Sequence, residues 1–400
     1  MYAFRKALAF FGLVVICACG ATSTKLAAVS PSPSPAASPS PAASSSPAAS
    51  PSPPKIENPV LVGQSSNPST VIVTRPDGSV IATLPGTGFV DQHAVGAYLV
   101  VGNAGSGKAW SVDAAGAVKD VAPAAANLLA SYPYSPPIVI DSSTAIVGCV
   151  TSTQGCSLER VDLSTGAVRT LLTVPPVTGQ AAMGFGSSLT ALDVSSDGST
   201  VWLREVRSVA GAWRLAIVGF NLQTGSITSH DMPDALMGDP DLAITRDGTS
   251  VAGQEPAGTN SAHLEIAHLH VFSVNTGVDS DVQGTAPYVR GWPPPGPPTV
   301  VFAPNGSAVA WWGGFNNGDT DHRINLAAIG GAGKPLFRLD DHQPDAPITA
   351  VYWLDPTTLA IESPSGIPFA LDTITGAFNA LPGWGQNSAT SPESLSAVLR

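Results

Sequence analysis

Residues Arg160–Thr170, Arg-Val-Asp-Leu-Ser-Thr-Gly-Ala-Val-Arg-Thr, read as strand, tight turn and strand. Branched and apolar residues flank a turn over Ser164-Thr165-Gly166, which ends in the residue that most readily takes positive φ. The same phrase recurs in Phe220–Ile227, Phe272–Val278 and Leu371–Phe378. A second kind of turn alternates with it, an Asp-Gly or Asn-Gly pair before an apolar strand. It stands in Ser195–Leu203, Thr245–Ala252 and Ala303–Trp311, with looser forms in Leu354–Ile361 and Asp141–Val147.

The simplest unit is four strands, with the Asp-Gly turn joining the first two and the Thr-Gly turn joining the last two. Marking the second turn at Gly78, Gly116, Gly166, Gly225, Gly277, Gly333 and Gly376 gives spacings of 38, 50, 59, 52, 56 and 43 residues. Such periods belong to β-propeller blades. Stacking in a closed array suits a sheet that cannot bury both faces alone. The marks predict an all-β propeller of seven four-stranded blades. Six or eight blades would also accommodate the irregular ends, and a two-domain all-β protein is the alternative.

The Asp-Gly turns before Val201-Trp202-Leu203 and Val309-Ala310-Trp311 resemble the blade signature of the TolB-like and WD40-like propellers of exported bacterial proteins. The resemblance covers about Asn58–Trp384 and implies the fold. It leaves function open, because propellers host many unrelated activities.

Forty glycines, 37 prolines and a charged fraction of 12% fit a turn-rich β protein. Arg5-Lys6 precede a 12-residue apolar run, Ala7–Ala18. That is the layout of a signal peptide, and the run is shorter than the ~20 residues that span a bilayer. Ile16-Cys17-Ala18-Cys19-Gly20 resembles the bacterial lipobox, which implies that Cys19 becomes a lipidated N-terminus. Cys17, directly after bulky Ile16, fits that role less well, and an ordinary cleaved signal is the alternative. Ser30–Pro54 contains only Ser, Pro and Ala. It has nothing to bury, and its 25 residues could extend about 75 Å as a semi-stiff spacer. The expected plan is a leader over 1–18, a lipidated N-terminus and tether over 19–57, a propeller over 58–390 and a C-terminal tail over 391–400. The expected place is the extracytoplasmic face of the cell membrane, held by the lipid anchor only.

The net charge is −11, and removing residues 1–18 leaves 16 basic against 29 acidic groups, or −13. Nucleic acid rewards clustered Lys and Arg, so this balance argues against it. It argues equally against electrostatic binding to anionic lipid and is read as a solubility feature. Cys149 and Cys156 flank Val150–Gly155 in one predicted blade. Across a hairpin they could form a disulfide, which an oxidising compartment favours over two free thiols.

Three stretches imitate chemical motifs. Gly102–Ala109 nearly matches a phosphate loop, but Ala109 replaces the magnesium-binding hydroxyl and a strand follows where a helix is needed. Asn317–Asp321 alternates oxygen ligands, but His322 and Ala328 occupy the positions where a calcium loop needs glycine and glutamate. His268 and His270, close to His263, share one strand face, where a polar face is expected rather than zinc. No cofactor and no metal are expected, and no nucleophile elbow is present in the sequence.

Both hairpin turns of such blades face one end, and the longer connections gather at the other. These place Trp292, Phe315, Asp319, Asp321, His322, Asp340, Asp341 and His342 on one rim as binding candidates. The expectation is a monomeric, protein-binding scaffold with a partner in the cell envelope. A propeller enzyme or a small-ligand or metal sensor, with its site at the channel mouth, is the alternative and ranks below it.

Overall fold

The computed structural model describes residues 58–400, apart from 67–68, 89–92, 95, 103–106, 131–136, 153–154, 175–186, 210–211, 234–235, 237–241, 260–264, 277, 282–287, 290–299, 313–322, 330–333, 339–347, 349, 363–367, 385–393 and 400. Its strands form seven sheets, each built around four antiparallel strands, which in all but the first sheet follow in sequential order. Blade 4 is representative: Ser187–Val194, Thr200–Val209, Ala212–Asn221 and Ile227–Asp231 pair in that order.

The two turn types fall where the repeat puts them. Asp-x-Ser/Thr or Asn-x-Ser turns join the first and second strands of blades 3 to 7. In blade 4 the Asp197 Oδ1 accepts from Ser199 N at 3.0 Å and from Ser199 Oγ at 2.8 Å. Asp141, Asp247, Asn305 and Asp355 make the same pair of bonds. Asx turns of this kind replace the backbone pairing that the bend breaks. Gly78, Gly116, Gly166, Gly225 and Gly376 lie between the third and fourth strands of a blade, while Gly277 and Gly333 lie outside the described residues. Gly166 takes φ +77 there.

One backbone bond ties the two turns of a blade together. Leu163, Leu222, Val274, Ile329 and Thr373 donate N–H to the carbonyls of Ser143, Ser199, Thr249, Ser307 and Thr357, at 2.8 to 3.1 Å. Both turns of these blades therefore sit at one end.

Each sheet is apolar on both faces and is covered by its neighbours. Seven hydrophobic clusters result, one at each seam between successive blades. The seam between blades 7 and 1, packing Leu61, Leu395 and Val398 on Leu354, Ala360 and Trp384, closes the ring. The first strands of blades 3 to 7 touch in series, and that of blade 7 touches the closing strand Ser394–Leu399.

Closure uses both ends of the chain. Ser394–Leu399 pairs antiparallel with Val60–Ser66, so the last strand becomes the innermost strand of blade 1. The expected tail over 391–400 is therefore corrected: it holds the strand that locks the ring, and the propeller runs to Leu399. No local pattern marks this strand, because its partner lies at the far end of the sequence.

Two further strands line the inner edge. His93–Ala94 runs parallel to the first strand of blade 3, Ile138–Asp141. Cys149–Ser152 adds to the first strand of blade 4. Cys156 begins the third strand of blade 3, so the two cysteines stand in neighbouring sheets rather than in one hairpin. Their side chains lie outside the described residues. One helix, Pro123–Ala130, links blades 2 and 3. No helix among the described residues is long and apolar enough to cross a membrane.

Candidate functional site

The eight rim candidates, Trp292, Phe315, Asp319, Asp321, His322, Asp340, Asp341 and His342, all lie outside the described residues, as do Cys19 and the calcium-like stretch 317–321. The strands flanking these segments end at the face opposite the hairpin turns. Within the phosphate-loop imitation, Gly102 N–H donates to Lys108 O at 2.8 Å and Ala109 starts a strand. The ends of that stretch thus belong to a strand-to-strand connection of blade 2.

The described part of that face has one distinctive feature. The second and third strands of blades 4 and 5 are nine or ten residues long, against four to seven in the other blades. At about 3.3 Å per residue, the described strands of these two hairpins run roughly 10 Å longer than those of their neighbours. They stand side by side. Near the ring, Leu215 and Ile217 of blade 4 pack with Val251 and Phe272 of blade 5.

Further along the same face of blade 5 the side chains turn polar. Strand alternation places Glu255 with Val251, and His268 and His270 with Phe272. Glu255 lies directly opposite His268 in the register. Its Oε2 accepts from His270 Nε2 at 2.7 Å, with the imidazole 13% and the carboxylate 41% exposed. A carboxylate bound to one ring nitrogen fixes the tautomer and orientation of the other. The pair can hold a hydrogen-bonding ligand. No group of three metal-capable side chains occurs among the described residues.

The sequence placed His268 and His270 on one face but gave no sign of Glu255. The reason is a register shift between Pro256 and Gly258. Pro256 cannot donate to the ladder, and the bulge beside it slips the pairing by one residue. Counting back from the loop therefore sends Glu255 to the wrong face.

A second polar cluster lies at the closing seam. Tyr352 Oη donates to Ser396 O at 3.2 Å, reaching from blade 7 to the closing strand. Gln64 Nε2 of blade 1 donates to Tyr98 Oη of blade 2 at 3.3 Å. Glu362 is 9% exposed. Burial pushes its carboxyl up to about 7, opposed by a hydrogen bond from the Leu395 backbone. Tyr352 is raised well above the usual phenol range, first by burial and then by the charges of Glu362 and Tyr98. Such a cluster was invisible in the sequence because its members come from three blades.

No protein-family model matches the chain, and no curated protein matches it. Solved structures do. TolB from Acinetobacter baumannii aligns with 14% identity over 70% of this chain and 63% of that chain, with a TM-score of 0.39. The chain therefore spans less than two thirds of that TolB. The β-propeller domain of the Trilobed protease from Pyrococcus furiosus aligns with 10% identity over 73% and 82%, with a TM-score of 0.42. An oligogalacturonate lyase in complex with manganese aligns with 12% identity over 82% and 86%, also at 0.42. By its own seven closed sheets the chain is a β-propeller, and its neighbours among solved structures include TolB proteins.

Proposed function

We propose that this chain is a membrane-tethered, extracytoplasmic propeller that binds a protein partner in the cell envelope. The observation that carries the reading is the ring closure between Ser394–Leu399 and Val60–Ser66. It makes a rigid platform whose first strand begins six residues after the last proline of the Ser/Pro/Ala stretch, Pro54. A lipobox-like Cys19 before a spacer, and a rigid ring after it, are the parts of a held-out docking platform. The loop-bearing face, with its two tall hairpins, is the surface such a platform presents.

Two measurements test this. Fatty-acid labelling of the full chain is expected to mark the protein and to disappear in Cys19→Ala. In-cell crosslinking is expected to enrich one envelope protein with the native chain, and to lose it in the triple variant Trp292→Ala, Asp319→Ala, Asp341→Ala. Unlabelled native protein would remove the anchor. No enriched partner would remove the scaffold.

The Glu255–His270 pair favours a second reading, a small-ligand site between the tall hairpins of blades 4 and 5. A ligand found by thermal-shift screening and lost in Glu255→Gln would support it.

A further inference from the structure

We propose that Glu362 and Tyr352 form a pH-operated latch on the closing strand Ser394–Leu399. They hold it in blade 1 while Glu362 carries its proton, and ionisation of Glu362 releases it and opens the ring. The inference concerns the ring itself and does not depend on the partner reading above.

The closing strand is held less securely than its counterparts. In blades 3 to 7 a short turn ties the first strand to the second. In blade 1 no turn does, and the ladder to Val60–Ser66 is the strand's one connection within its sheet. That ladder is interrupted. Val62 stands opposite Ala397 and Gly63 opposite Leu395, so Ser396 is a bulge without a partner in the register. Blade 7 takes hold at this point. Tyr352 Oη donates to Ser396 O at 3.2 Å and lies 3.5 Å from Leu395 O. The Leu395 N–H donates to the Glu362 carboxyl. One side chain from the first strand of blade 7 and one from its second thus grip the closing strand at its bulge.

Glu362 follows Ala360 on the face that packs Leu61, Leu395 and Trp384. The strands against that face offer it no cation. Leu395 faces it from the closing strand, Leu61, Gly63 and Ser65 from the second strand of blade 1, and Ala370 from the third strand of blade 7. Among the described residues, the titratable groups around it are Tyr352 and, beyond that ring, Tyr98. Tyr352 is raised well above the usual phenol range and stays protonated while Glu362 titrates. An ionised Glu362 therefore has one backbone donor and no counter-charge, and burial pushes its carboxyl up to about 7. Release of the closing strand admits water to the carboxylate, so the ionised form favours the open ring. The latch is complete below the unfolded value near 4.5 and is lost as pH rises through about 7.

Hydrogen exchange of the full chain, read by mass spectrometry and corrected for the intrinsic pH dependence of amide exchange, tests this. Between pH 5 and 8, opening of residues 394–399 should become about tenfold or more frequent, while Thr200–Val209 and Ala212–Asn221 of blade 4 keep their protection. Glu362→Gln keeps an acceptor for the Leu395 N–H and cannot ionise, so it should abolish the pH dependence. Tyr352→Phe loses the bond to Ser396 and should speed exchange of the strand at every pH, with the dependence intact. Closing-strand exchange that is constant with pH in the native chain would overturn the proposal. So would a pH dependence that survives in Glu362→Gln. Protection lost equally in the closing strand and in blade 4 would also overturn it, by making Glu362 a contributor to global stability alone.

Discussion

Single side chains act here mostly as keys between blades. The Trp202 ring lies between Gly219 and Gly248, and its Nε1 donates to Arg246 O at 3.0 Å, joining blade 4 to a turn of blade 5. A Cβ at position 248 would overlap that ring, on a backbone with φ +71. At Gly198 the φ is +70 but nothing lies within 4 Å. Gly248→Ala is therefore expected to destabilise more than Gly198→Ala, by about 1–3 kcal/mol, since only it adds overpacking to backbone strain. Chemical denaturation of the two variants measures the difference.

Glu362 sets a titration at the same scale. Its folded carboxyl is raised, so its contribution to stability is complete below the unfolded value near 4.5 and is lost as pH rises through about 7. The native Tm should fall between pH 5 and 8, and Glu362→Gln should flatten that fall. An unchanged slope in the variant would assign it to other groups.

At the scale of the element, the turns carry an opposite pH dependence. Asp197 is lowered to about 2, first by the Ser195 hydroxyl and then by the Ser199 backbone and side chain. Asp77, Asp162 and Asp372 are also lowered, by bonds from their own turns. Such groups contribute stability above their unfolded values, and that contribution disappears as pH falls through their folded ones. Acid should therefore loosen the turn-bearing end first. Asp197→Asn keeps the acceptor oxygen and removes the charge, as Asn305 already does in blade 6. It should reduce the loss of Tm between pH 4 and 2 with little effect at pH 7.

These turns were the legible part of the chain. Asp-x-Ser/Thr and Thr-Gly are local signals, because the side chain that makes the turn sits within three residues of the groups it binds. The pairing of Glu255 with His270 was not legible, because one bulge at Pro256 decides which face the carboxylate takes. The helix Pro123–Ala130 was also unforeseen; its Ala-rich sequence packs Ala125 and Leu129 into the seam of blades 2 and 3.

The whole molecule depends on a contact that no local reading could supply. Seven marked turns predicted seven blades, yet the first blade lacked an inner strand until Ser394–Leu399 filled it. Deleting residues 394–400 should unzip blade 1 and expose the buried faces of Leu61 and Trp384. The expected outcome is loss of cooperative unfolding, or a large fall in Tm, measured by calorimetry. The cysteine pair belongs to this scale too, since it would link neighbouring sheets. Mass mapping without reductant is expected to find Cys149 joined to Cys156, and both thiols free to alkylation would exclude it.

The pairing of Val60 with Leu399 brings the two ends of the fold side by side. In a ring so joined, the starting point of the polypeptide is arbitrary. A short linker across that junction, with new termini cut between Val209 and Ala212 at the tip of blade 4, should give a permuted chain that folds to the same seven sheets. In the native order, a domain fused after the closing strand would emerge beside Val60, where the first strand of the ring begins.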